Sequence, residues 1–233
     1  MCSGQNMDQA KIGVGMPVFQ IAGKNVLFVH VPKTGGSSIE SWLRLHGPEA
    51  LFARNPVPGL DVVPQHFDAA TLQNIMSESF IDYSFMVVRD PVKRVLSEYF
   101  YDRSHSIAET GLPFPRILGS GPSALAWQFD QWCKVHFALS RRTPTHKHGH
   151  FQPQSDFSGF AETEVFRFED GLESIVARVA ARLGIAPPEC LEHKKRGGKF
   201  AFEPFQKTLV RIERHFEADF VNFGYARPTE RDF

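Results

Sequence analysis

Val26-Leu27-Phe28-Val29-His30-Val31-Pro32-Lys33-Thr34-Gly35-Gly36-Ser37-Ser38 is the stretch on which the fold turns. Val26 to Val31 is short, largely apolar and β-branched, the pattern of a strand buried on both faces, and Pro32 stops it. Gly35 and Gly36 then open a segment, Ser37 to Leu45, in which Ile39, Trp42, Leu43 and Leu45 fall at roughly helical spacing before Gly47-Pro48 closes it. Strand, glycine turn and helix in that order make an anion cradle. Small residues let the backbone wrap close, and the first N–H groups of the helix point at the anion with the positive end of the dipole. Lys33 supplies a point charge and Thr34, Ser37 and Ser38 supply hydroxyls, so Lys33, Thr34, Gly35, Gly36, Ser37 and Ser38 are the candidate phosphate ligands. In ATP-hydrolysing loops the lysine follows the last glycine; here Lys33 precedes both, and an ATPase reading fits poorly. A Gly-Gly-Ser turn that binds nothing is the bland alternative.

Outward from this unit the pattern repeats. Tyr83 to Val88 reads as a second buried strand, Asp90-Pro91 as an N-cap with proline at the first helical position, and Val92 to Tyr101 as a helix. Arg89 stands at the carboxyl end of that strand, the edge at which open parallel sheets bind ligands, and a guanidinium there grips a second phosphate bidentately. Ser97, about two turns into the helix, adds a hydroxyl. Two anion sites on neighbouring strand ends suit a ligand phosphorylated at two positions, although Arg89 pairing only with Asp90 or a helix end stays open. Between the two units a proline-rich loop, Asn55 to Pro64, reaches His66, and a helix follows from about Asp68 to Ser77 with Asp68 as cap. Further on, Gly111 to Pro122 is irregular and Ser123 to Leu139 is helical and aromatic-rich. Arg141 to Gly159 is a polar loop with His146, His148 and His150, Val165 to Phe168 is a strand, and Gly171 to Leu183 is a helix ended by Gly184. A basic glycine turn, Lys194 to Lys199, precedes one long helix from about Phe205 to Phe223. Alternating strands and helices predict an α/β fold with a mostly parallel central sheet flanked by helices.

The chain has 233 residues, 42% of them hydrophobic, which suits a single domain over 1–233 with residues 1–24 as a flexible or peripheral lead. Lys plus Arg balance Asp plus Glu at 26 each, so no global field draws the protein to nucleic acid or an anionic membrane, and any anion site must be local. Cys2, Cys133 and Cys190 are odd in number and lack metal-type spacing, as free thiols of a reducing compartment would be. No stretch is apolar and long enough for a signal or a membrane span, so a cytoplasmic protein is expected.

At these residues the sequence resembles the sulfotransferases that depend on 3′-phosphoadenosine-5′-phosphosulfate (PAPS), in particular the carbohydrate O-sulfotransferase branch. The Lys33 to Ser38 turn is similar to that family's 5′-phosphosulfate loop, and Arg89 with Ser97 to its 3′-phosphate motif. The resemblance spans about Val26 to Tyr225. Looser matches are His150-Phe151-Gln152-Pro153-Gln154, Arg167-Phe168-Glu169-Asp170, and Asp219 to Tyr225. It implies the phosphate-loop-like sulfotransferase fold, PAPS as donor, release of 3′-phosphoadenosine-5′-phosphate (PAP), and a carbohydrate hydroxyl as acceptor. An Arg-Lys-Gly turn late in the wider superfamily holds the 3′-phosphate, which makes Arg196 and Gly197 candidate donor ligands; a solvated basic loop is the equal alternative.

Sulfuryl transfer, by analogy with phosphoryl transfer, needs positioning, neutralisation of leaving-group charge and removal of the acceptor proton. Lys33 fits the second task. For the third, His66 is the choice among ten histidines because it lies between the two phosphate units, where several carbohydrate enzymes of the resembled branch place a catalytic histidine or acid. His66 as an incidental surface or capping residue stays open. His30 reads as a supporting residue, Glu169 as an orienting group or a helix cap, and the alternating histidines of the polar loop as solvated or substrate-touching rather than metal-binding. Two other functions compete: a small-molecule kinase on a related phosphate-loop fold, and a non-catalytic module that binds PAP or another anion.

Overall fold

The computed structural model describes residues 18–50, 62–110, 121–191 and 202–228. Its centre is a five-stranded sheet in the order β3-β1-β2-β4-β5, formed by β1 (Val18–Ile21), β2 (Lys24–Val29), β3 (Glu49–Ala50), β4 (Tyr83–Val88) and β5 (Thr163–Arg167). β2, β4 and β5 run parallel, with Val29 opposite Met86 and Val88 opposite Arg167. β1 runs antiparallel to β2 and to the short β3. The expected α/β architecture is what the chain adopts.

Residues 18–24 are not a peripheral lead. Val18 and Ile21 are fully buried, and β1 joins β2 through a two-residue hairpin at Ala22 (φ 50°) and Gly23 (φ 75°). Such a turn needs positive φ at both central residues and normally announces itself as Asn-Gly or Asp-Gly; alanine at the first position hides it. β2 also ends two residues earlier than its apolar pattern suggests. Val31 N–H bonds back to the Val29 carbonyl at 3.2 Å, bending the chain before Pro32.

The sheet is covered on both faces. Phe28, Phe85, Val87 and Phe166 pack against Ile39 and Leu43 of α1 (Gly36–Leu43) and against Ile175 and Val179 of α5 (Leu172–Leu183). From the same strands Leu27, Val29, Met86 and Val88 point the other way, onto Leu72 of α2 (Ala69–Ile75) and onto Phe157 and Phe160. This two-sided burial is why β2 and β4 read as continuous apolar runs. A third cluster lies beside the sheet, where α3 (Pro91–Thr110), α4 (Pro122–Arg142), α6 (Gln206–His215) and α7 (Glu217–Asn222) bring Tyr99, Phe129, Phe137 and Phe216 together.

The terminal helix is broken, contrary to the single run expected from Phe205 to Phe223. Phe216 (φ −114°, ψ 30°) leaves helical geometry and is buried edge-on to Phe137 at 5.7 Å. α7 then starts, and its Asp219 accepts from Gln154 Nε2 and Ser155 N–H. No helix among the described residues is long and apolar enough to cross a membrane. Cys133 is a buried free thiol and Cys190 an exposed one.

Candidate active site

The first turn is built by steric necessity. Lys33 (φ 71°) and Gly35 (φ 86°) both adopt left-handed backbone, reversing the chain into α1. A Cβ on Gly36 would lie 2.2 Å from His30 Nε2, so only glycine lets the helix start against that ring. His30 is held there by Glu40, whose Oε1 lies 2.6 Å from Nδ1, and Gln65 Nε2 donates to both Glu40 oxygens at 2.9 Å. Burial raises the Glu40 pKa, but His30, the Gln65 hydrogen bond and Arg44 outweigh it and leave the carboxyl below its ordinary value. Thr34 is fully buried and donates its hydroxyl to the Val31 carbonyl at 2.9 Å, so in this structure it shapes the turn. Ser37 is half-buried and Ser38 buried at the start of α1; Ser38 N–H donates to the Gly35 carbonyl at 3.1 Å, while the Gly36 and Ser37 amides precede any intrahelical acceptor.

Lys33 extends toward α3. Its Nζ lies 3.7 Å from Glu98 Oε2 and 3.9 Å from the centre of the Tyr101 ring. The other Glu98 oxygen is 2.9 Å from His150 Nδ1, at ion-pair distance but out of hydrogen-bond alignment. Burial pushes the Glu98 carboxyl up; His150, Lys33 and Lys147 more than offset this, so Glu98 is an anion between a lysine and a histidine.

The second turn touches the first directly. Arg89, at the end of β4, donates from Nη1 to the Lys33 carbonyl at 3.2 Å, and its guanidinium stacks 4.5 Å from the centre of the Phe168 ring. Arg89 Nε is buried with no hydrogen-bond partner, the kind of orphan donor a bound oxyanion would satisfy. Burial lowers the Arg89 pKa against the opposing pull of Glu169 and Asp90. The backbone of this turn is spoken for. Arg89 N–H donates to Gln154 Oε1, Gln154 Nε2 donates to the Arg89 carbonyl, both at 2.8 Å, and Asp90 N–H donates to Glu169 Oε1 at 3.0 Å. Tyr225 OH donates to the other Glu169 oxygen, and Asp219 accepts from Gln154 Nε2 and Ser155 N–H. The three loosely matching segments of the sequence therefore converge on Arg89: they brace the second turn and leave only its side chain for a ligand. Asp90 caps α3 through Lys93 N–H, as expected. Ser97 is half-buried on α3 with no hydrogen-bond partner among the described residues. Arg196 and Gly197, with the Lys194 to Lys199 turn, lie outside the described residues.

Arg94, one turn into α3, is fully buried and bonds three backbone carbonyls: Pro32 from Nε at 3.1 Å, Gln152 from Nη1 at 2.9 Å and His150 from Nη2 at 3.1 Å. It clamps the first turn, α3 and the histidine loop together.

His66 ends a 3-10 turn, Pro64–His66, and is buried. Its Nδ1 lies 3.1 Å from the His148 carbonyl, so Nδ1 carries the proton and a neutral ring has its lone pair on Nε2. The ring meets His30 edge-on at 5.2 Å and His150 at 5.0 Å. Burial, then the charges of His150 and His30, push its pKa well below the ordinary histidine range, which keeps it unprotonated at neutral pH. His146 is elsewhere, its Nε2 2.8 Å from His136 Nδ1.

Glu40, Gln65, Arg94, Glu98 and Gln154 were not singled out from sequence. Arg94 and Glu98 had a signal: they are charges on the stripe of α3 that Val95 and Tyr99 share, and a charge on a core-facing stripe must have a buried partner. Gln154 lay in a loosely matching segment that did not point to Arg89, and Gln65 had no signal, because only tertiary contact brings it to His30.

The model described as the sulfotransferase family matches residues 18–226, nearly the whole described chain. No curated protein and no solved structure matches it.

Proposed function

This chain belongs to the sulfotransferase family and is accordingly a sulfuryl-transferring enzyme; from that premise we propose that it moves the sulfuryl group of PAPS onto a carbohydrate hydroxyl and releases PAP. The observation that carries the donor is the contact between the two cationic turns, Arg89 Nη1 on the Lys33 carbonyl, with an unsatisfied Arg89 Nε beside it. Two cationic turns joined by a hydrogen bond suit a nucleotide phosphorylated at both 3′ and 5′. PAPS supplies a sulfuryl group already bonded to a good leaving phosphate. The Gly36 and Ser37 amides and Lys33 neutralise the charge left on the 5′-phosphate, Arg89 fixes the 3′-phosphate with Ser97 behind it, and His66 Nε2 takes the acceptor proton. Glu98 holds Lys33 until an anion competes for it. The carbohydrate acceptor rests on the resemblance of the 150–154, 167–170 and 219–225 segments to carbohydrate sulfotransferases.

The test is transfer of radiolabelled sulfate from PAPS to a panel of neutral and acidic oligosaccharides. Labelled sugar and stoichiometric PAP are expected. PAP binding with no transfer to any acceptor would favour the non-catalytic module, and magnesium-dependent ATP turnover the kinase.

A further inference from the structure

Away from both turns, a cleft of about 630 Å³ opens between the C-terminal end of α4 and α6. Arg141, Lys207, Arg211 and Arg214 face it against one lining carboxylate, Asp156. Behind it the fully buried Asp130 accepts from Arg211 Nη1 at 2.5 Å and lies 3.5 Å from Lys207 Nζ, while also pairing with Lys134. Arg141 and Arg214 have no carboxylate partner among the described residues, and both are exposed. His215 forms one wall, stacked 4.1 Å from Phe137 and 3.0 Å by Nε2 from the Phe151 carbonyl. The chain as a whole is charge-balanced, so this concentration of unneutralised arginine in a concave site is local. None of Lys33, Arg89 or His66 lines the cleft, and buried Arg94, bridging Pro32 to Gln152, stands between it and the first turn.

We propose that this cleft is a second anion site, independent of the donor nucleotide, that takes a sugar unit bearing more than one sulfate or carboxylate. Two arginines without carboxylates, set either side of a cavity of small-ligand size, are better satisfied by two anionic groups on one rigid carrier than by one free ion. The sugar carrier rests on the acceptor reading above; the anion site does not depend on it. The cleft backs onto Phe151 and Gln152, next to His150, which meets the His66 ring. An acceptor chain anchored there would be held one loop away from the proposed base.

The experiment is calorimetric titration of the full chain, saturated with PAP, with a disulfated disaccharide, its unsulfated parent and inorganic sulfate. One equivalent of the disulfated sugar should bind, more tightly than either control. The double variant Arg141→Glu, Arg214→Glu should weaken it about tenfold or more while leaving PAP affinity unchanged. Absence of binding, equal binding of the unsulfated parent or inorganic sulfate, or indifference to the charge reversal would overturn the proposal. If PAP itself fails to bind, the donor reading falls, and the same titration without PAP still decides this one.

Discussion

The guanidinium of Arg89 donates to the main-chain carbonyl of Lys33 at 3.2 Å, so the two turns are one piece of structure. Each turn is also held from behind: the first by Arg94 on Pro32, the second by Gln154 and Glu169 on its backbone.

Replacing His66 by alanine should lower kcat about 10²–10⁴-fold and leave PAP affinity nearly intact, because in the proposed mechanism the ring acts on the acceptor. Its pKa is held well below 6.5 by burial. The acid limb of kcat/KM should therefore fall well below that value, with activity level through neutral pH. A variant as active as the parent, or a limb near the ordinary histidine value, would remove His66 as the base.

Arg94→Lys should not rescue Arg94→Ala. A single ammonium cannot span three carbonyls that the planar guanidinium reaches from Nε, Nη1 and Nη2. Both variants should lose about 3–5 kcal/mol in urea unfolding. A loss below about 1 kcal/mol, the level of an exposed pair, would contradict the clamp.

Gly36→Ala puts a methyl 2.2 Å from His30 Nε2, and the ring cannot swing away without leaving Glu40. The expected outcome is about 1–3 kcal/mol of destabilisation together with weakened PAP binding. Retained stability and affinity would mean that α1 can start elsewhere.

Stability should fall on acidification before the carboxylates titrate. His66, His136, His146 and His215 all have pKa values depressed by burial first, to about 4 for His136. In the unfolded chain they return toward 6.5, so between that pH and the folded values the unfolded state binds more protons, and stability is present above 6.5 and lost as pH falls. The urea midpoint should drop steadily from neutral pH toward about pH 4. A flat midpoint over that window would show that the rings are solvated.

Both turns were legible in the sequence because local chemistry makes them: a buried strand, a residue able to reverse the chain, and a helix start. Tyr83–Val88 matches its strand to the residue for that reason. The first hairpin was hidden by Ala22, and the break at Phe216 by an apolar period that runs through it, since aromatic packing against Phe137 overrides the helical repeat. At the site, Lys33, Gly36 and Arg89 were visible as types in a pattern. Glu98 and Gln154 act across 65 residues of chain in each case, Lys33 to Glu98 and Arg89 to Gln154, and no local spacing encodes such a contact.

The cradle itself is tested most directly by calorimetry of PAP and of adenosine 5′-phosphate, which lacks the 3′-phosphate, on the parent and on Arg89→Ala. Tight PAP binding that drops about tenfold or more in the variant, with adenosine 5′-phosphate little changed, is the predicted result. No association with PAP, or an equal loss for both nucleotides, would contradict it.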